Sequence, residues 1–170
     1  MDLKSTLLRQ HSRENASKIA HYVGDDPVRF KKLVNIYLAG PYRVTQRAAW
    51  PLSICAELHP ELISPHLKEI LEFLKAPDAH DAVKRNALRL LQFIEIPSRY
   101  RGKVIDICFN YLQGKSEPVA VKVFAMSVLS QLVDGVPELS QELRIIIEDQ
   151  LPYASAGFIS RARKVLKDLR

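Results

Sequence analysis

The densest cluster of chemically capable side chains in this 170-residue sequence is Arg99-Tyr100-Arg101-Gly102-Lys103. A glycine beside three cations and an aromatic ring can offer backbone N–H groups, positive charge and a stacking face to a phosphate or a base. An ordinary exposed turn between two helices has the same composition, and the cluster is expected in such a turn. Further cations, Arg43, Arg47, Arg85, Arg89, Arg161 and Lys164, recur at intervals that could stack into a ladder for a phosphate backbone. Trp50, one turn after Arg47, could stack on a base or anchor a partner, although a lone tryptophan more often fills a core.

Enzymatic constellations are harder to find. His11, His21, His59, His66 and His80 form no His-Glu-x-x-His pair and no ligand set with cysteine at metal spacing. The six glycines build no phosphate loop. Asp25-Asp26 could serve as an acid–base carboxylate pair, but Asp26 directly precedes Pro27, where a helix needs an N-cap. No catalytic residue, metal or cofactor is therefore expected.

Lys and Arg number 25 against 19 Asp and Glu, a net charge of +6. That excess invites a nucleic-acid reading, while 47% apolar and 26% charged residues describe an ordinary folded chain rather than a disordered one. Unbroken apolar runs such as Val123-Phe124-Ala125-Met126 are far short of the roughly 20 residues that cross a bilayer. The first ten residues lack the apolar core and cleavage site of a secretory signal, so a cytoplasmic protein without membrane contact is the expectation. Cys55 and Cys108 are too few for a disulfide framework and fall at apolar helix positions, which places both in the core.

These side chains must be positioned by helices. Apolar residues recur at steps of three and four and never sustain a period of two, which predicts an all-α protein. Asp26-Pro27 and Ser64-Pro65 read as capped helix starts, and Gly24, Gly40, Gly114 and Gly135 as left-handed stops. The expected helices cover about 2–11, 13–23, 27–38, 42–58, 65–75, 79–95, 102–113, 117–133, 138–151 and 155–169.

The helices repeat. Alternate ones carry the stripes Val44-Ala48-Leu52-Cys55, Val83-Ala87-Leu91-Ile94, Val121-Ala125-Leu129-Leu132 and Phe158-Ala162-Leu166-Leu169, shifted by 39, 38 and 37 residues. The second position is always Ala, which lets helix backbones approach closely. The intervening helices carry Phe30-Leu33-Val34-Tyr37, Leu67-Ile70-Leu71-Leu74, Val104-Ile107-Cys108-Tyr111 and Leu143-Ile146-Ile147-Gln150, shifted by 37, 37 and 39. Two interleaved helix types on one period describe stacked helical hairpins, none able to bury its apolar face alone.

With those stripes and that period, the chain resembles a HEAT-repeat or armadillo-like α-solenoid from about Arg13 to Arg170. The resemblance implies a right-handed α-α superhelix of about four and a half hairpins, with units at 13–38, 42–75, 79–113 and 117–151 and a capping helix at 155–169, in a single domain over 1–170. Pro51, inside the helix 42–58, fits the bent first helix that many HEAT units resemble. In such proteins the second helices of successive hairpins usually line a concave face that binds a partner protein.

Applied to this sequence, that implication selects Arg29, Lys32, His66, Glu69, Lys103 and Asp106 as polar contacts beside the core stripe, with Trp50 as a possible anchor. The expected function is a non-enzymatic adaptor or scaffold for a protein or peptide. The alternative is a nucleic-acid-binding solenoid that uses the Arg43 to Lys164 ladder together with Arg99 and Arg101. Some HEAT-like solenoids are alkylpurine DNA glycosylases, but no Trp-Asp pairing here matches their motifs. The ladder is also broken at the third repeat, where Val123, Phe124 and Ser127 replace cations and Lys122 is the nearest charge. The helix around Ala120–Val133 is apolar nearly all round, which suits either a central covered helix or an exposed contact patch. Arg163, Lys167 and Arg170 give the last helix the polar outer face of a cap.

Overall fold

A computed structural model describes residues 1–76 and 79–169. Among the described residues the α-helices are α1 (Leu3–Arg9), α2 (Arg13–Val23), α3 (Pro27–Ala39), α4 (Tyr42–Leu58), α5 (Leu67–Leu74), α6 (Asp81–Leu91), α7 (Ser98–Gln113), α8 (Val119–Leu132), α9 (Pro137–Gln150) and α10 (Ala156–Asp168). Short 3-10 turns cover Pro60–Leu62, Ser64–His66 and Leu151–Tyr153, and no strand occurs among the described residues. The protein is all-α, and its helices follow one another as the stripes require.

Two compact units divide the chain, Met1–Glu95 and Ile96–Arg170. The division falls inside the hairpin that the repeat arithmetic draws over 79–113. In the first unit α4 is central, packed against α2, α3 and α6, while α1 rests on α2 and α4. In the second unit α8 is central, flanked by α7 and α10, with α9 against α7 and α8.

The stripes explain why. Every residue of the stripes on α4 and α3 is buried, as are Leu67, Ile70, Leu71 and Leu74 on α5 and Val121, Ala125, Leu129 and Leu132 on α8. The recurring alanines Ala48, Ala87, Ala125 and Ala162 are 0, 2, 0 and 0% exposed, so a larger side chain at any of them would force neighbouring helices apart. On α8, Met126 and Val128 are buried and Val123 and Phe124 half-buried. The helix that is apolar all round is thus a covered one. Leu166, Tyr111 and Ile146 are only half-buried, so these three stripes are less fully covered than those of α3, α4, α5 and α8.

Local chemistry shifts several boundaries. Asp26 caps α3 as expected, its carboxylate accepting the N–H groups of Val28 at 2.8 Å and Arg29 at 3.1 Å. Ser64 does not cap a helix. Pro60 and Pro65 cannot donate, and the chain between them closes i to i+3 bonds, Ile63 N–H to Pro60 and His66 N–H to Ile63, so α5 begins only at Leu67. Helix α7 begins at Ser98, directly after Pro97, and not at residue 102. The 99–103 cluster therefore lies in the first two turns of a helix instead of a turn, with Gly102 helical and exposed. Of the four glycines expected to be left-handed, Gly24 (φ 54°) and Gly135 (φ 77°) are. Gly40 is extended, and glycine suits it for space: a Cβ there would stand 2.6 Å from the Ile36 carbonyl oxygen. Arg170, assigned to the polar face of the last helix, lies outside the described residues.

Candidate functional site

Several of the arginines are built into the fold. A helix leaves its last four carbonyls without intrahelical partners, and a cation there also meets the negative end of the macrodipole. Arg47 on α4 donates through Nη1 to the carbonyls of Leu7 at 3.1 Å and Leu8 at 2.7 Å, at the end of α1. Arg101 on α7 donates to Leu132, the last residue of α8, at 3.3 Å. Arg29 on α3 donates to Tyr22, near the end of α2, at 2.8 Å, while its Nε pairs with Asp26 at 3.2 Å and its guanidinium lies 4.6 Å over the Tyr22 ring. Arg144 on α9 closes the end of α10 in the same way, donating to Leu166 and Leu169. One device thus recurs in both units: a guanidinium from one helix satisfies the carbonyl end of a neighbour.

What remains of the ladder is thinner. Arg43 and Arg85 on α4 and α6 are exposed and Arg89 is half-buried in the first unit; Arg161, half-buried, and Lys164, exposed, belong to α10 in the second. Arg99 stacks over the ring of its neighbour Tyr100 at 4.9 Å. At the break, Ser127 is buried and returns its hydroxyl to the Val123 carbonyl at 2.9 Å, and Lys122 is held by Gln150 at 2.8 Å.

Of the residues expected to meet a partner, Arg29, Lys32, Trp50, His66 and Glu69 belong to the first unit and Lys103 and Asp106 to the second. Trp50 is half-buried, with the His11 ring edge-on at 5.5 Å, so it packs on the connection between α1 and α2. His66 lies against Phe30 at 5.7 Å with Glu69 4.0 Å away, and burial lowers its pKa from 6.5 despite that carboxylate. Lys103, half-buried, and Asp106, exposed, stand on α7.

Arg29 and Lys32 do come together. They line a cleft of about 370 Å³ in the first unit with Leu3, Lys4, Tyr22 and Asn35. Lys4 and Tyr22 were not anticipated, because α1 and the end of α2 lie outside the clean repeat.

The second unit holds a larger cleft, about 520 Å³, where the start of α8 and the start of α10 meet the turn after α9. Val119 and Tyr153 stand at its surface, 44% and 92% exposed, over a buried Phe158. Lys115, Lys122, Glu117 and Asp149 also line it, two charges of each sign. No sequence motif marked this cleft. Its one legible signal was an aromatic and a proline, Tyr153 and Pro152, in a short link between helices.

Among the described residues no group of three or more His, Cys, Asp or Glu side chains could hold a metal ion, and no helix is long and apolar enough to cross a membrane. Comparison of the sequence with curated proteins finds no match. A family model for the HEAT repeat domain matches residues 3–169. With that match over nearly the whole length, and with paired helices on a period of about 38 residues, the chain belongs to the HEAT repeat domain family.

Proposed function

We propose that this helical-repeat scaffold is a non-enzymatic adaptor that holds another protein. The observation that carries the reading is the cleft over Phe158: an apolar floor, a projecting Tyr153 and a rim balanced between two cations and two carboxylates. Tyrosine supplies a large amphipathic contact at low entropic cost and is enriched where partners dock. A balanced rim suits the mixed charges of a protein surface and repels part of a phosphodiester backbone. The nucleic-acid alternative is weakened by Arg47 and Arg101, each of which commits one guanidinium nitrogen to main-chain carbonyls and is held in place by it.

The test is capture from cell lysate on the immobilised protein, with and without nuclease, beside a Tyr153→Ser variant. The adaptor reading expects a defined protein to remain bound after nuclease and to be lost from the variant. Loss of every bound component on nuclease treatment contradicts it.

A further inference from the structure

The cleft of the first unit differs in charge from the Tyr153 cleft. Among the side chains that line it, Lys4, Arg29 and Lys32 face a single carboxylate, Asp2. Asp2 caps α1, accepting the Lys4 N–H at 3.2 Å, and its carboxyl also feels the Lys4 charge. Arg29 is compensated by Asp26 and fixed on Tyr22. The side-chain ammonium groups of Lys4 and Lys32 make no ion pair with a described residue, and both side chains are exposed. Both charges are felt nearby: Lys32, after backbone hydrogen bonds and Arg29, is among the causes that hold the Asp26 carboxyl below its ordinary value, and Lys4, after the Ser5 hydrogen bond and others, is among those that lower Asp2.

Apolar surface adjoins those lysines. Leu3 is buried and Tyr22 and Ile36 are half-buried along the same cleft. The volume, about 370 Å³, falls at the small end of ligand-sized pockets, which run from about 300 to 1,000 Å³. That is room for a few side chains and not for a duplex. Tyr22 is pinned under Arg29, so one wall is already ordered before anything binds.

We infer that this cleft binds an acidic segment of a partner protein, its carboxylates on Lys4 and Lys32 and an apolar side chain against Tyr22 and Ile36. Two cations without an ion pair beside an apolar wall match a carboxylate next to a hydrophobic residue, and that apolar wall is what a phosphodiester backbone would leave unused. Carboxylate–ammonium contacts at an exposed site are screened by salt, so the complex weakens as ionic strength rises. The site stands in a different unit from the Tyr153 cleft and does not depend on it.

The test uses the full chain and a fluorescein-labelled, end-blocked dodecapeptide with four Glu around a central Leu-Phe pair, titrated by anisotropy at low salt. Saturable binding is expected, weakened at least tenfold in Lys4→Glu and in Lys32→Glu. A control variant, Arg163→Glu with Lys167→Glu on exposed sites of α10, is expected to bind as the wild type does, with circular dichroism confirming that all variants are folded. Four outcomes overturn the inference: no saturable binding below millimolar peptide; equal binding of the peptide with Gln for Glu; equal loss in the control variant; or displacement by a single-stranded oligonucleotide at lower concentration than by unlabelled peptide.

Discussion

The Arg47 guanidinium stands 2.7 Å from the Leu8 carbonyl oxygen, a hydrogen bond that joins positions 39 residues apart and ties the end of α1 to the middle of α4. The same Nη1 also reaches Leu7. A side chain that looked like one rung of a phosphate ladder is thereby a structural tie for the first helix. With seven residues, α1 is too short to persist alone, so its helicity depends on such tertiary bonds and on the burial of Leu3 and Leu7.

Replacing Arg47 by Met keeps the apolar stem and removes the donors. Hydrogen bonds to a charged group contribute about 1.5–3 kcal/mol, and a loss of that order is expected in urea unfolding at unchanged slope. The α1 amides should exchange faster at the same time. A wild-type midpoint would show that the tie does not matter.

Gln150 occupies a position where its helix type elsewhere carries an apolar or aromatic residue, and three bonds meet on its amide. Nε2 donates to the carbonyls of Leu112 at 3.0 Å and Ile146 at 3.3 Å, and Oε1 accepts from Lys122 at 2.8 Å. Gln150→Leu is nearly isosteric but leaves the end of α7 uncapped, and it should destabilise the protein by about 1–3 kcal/mol. Thermal unfolding of the variant provides the check; stabilisation would mean that apolar packing outweighs the cap.

The Asp26 carboxyl is held below its ordinary value of 3.8 by the backbone N–H of Arg29, opposed by some desolvation, and then by Val28 and the Arg29 charge. A carboxyl whose pKa falls on folding contributes stability that is fully present above the unfolded value. That contribution disappears as pH drops through the folded value. Asp26→Asn, which retains the capping oxygen, should lose less stability than wild type between neutral pH and pH below about 4. Parallel loss in both proteins would remove Asp26 from the acid response.

Burial pushes the Cys55 thiol up to about 12 and that of Cys108 upward by the same cause. Only the thiolate attacks a disulfide reagent. Native protein should therefore resist Ellman's reagent at pH 8 for as long as it takes unfolded protein to label both cysteines. Rapid native labelling of either would place that thiol at the surface.

The architecture was readable because packing imposes a period. Four alanines at one register position and apolar steps of three and four have few physical solutions other than paired helices. Helix ends were less readable, since they depend on which carbonyls find donors: Ser64-Pro65 looked like a cap and became a 3-10 turn, and the cluster 99–103 looked like a turn yet lies in α7, which begins at Ser98 rather than at residue 102. The clefts were least readable. Arg29 and Lys32 were identifiable as polar residues on one helix face, but Lys4 joins them only because α1 folds back on α2, a tertiary fact with no sequence period. Arg47 and Arg101 show the converse, for composition records a cation and not whether a carbonyl has already claimed it.

The central claim is that this surface recognises protein and not nucleic acid. The most direct measurement is titration of labelled single-stranded and duplex oligonucleotides by anisotropy across a salt series. Weak binding with a shallow dependence on salt is expected, because the ladder is interrupted at Ser127 and Lys122 and two of its candidate contacts, Arg47 and Arg101, also serve main-chain carbonyls. Saturable binding with a log–log slope near −5, the value expected for about six neutralised phosphates, would contradict it.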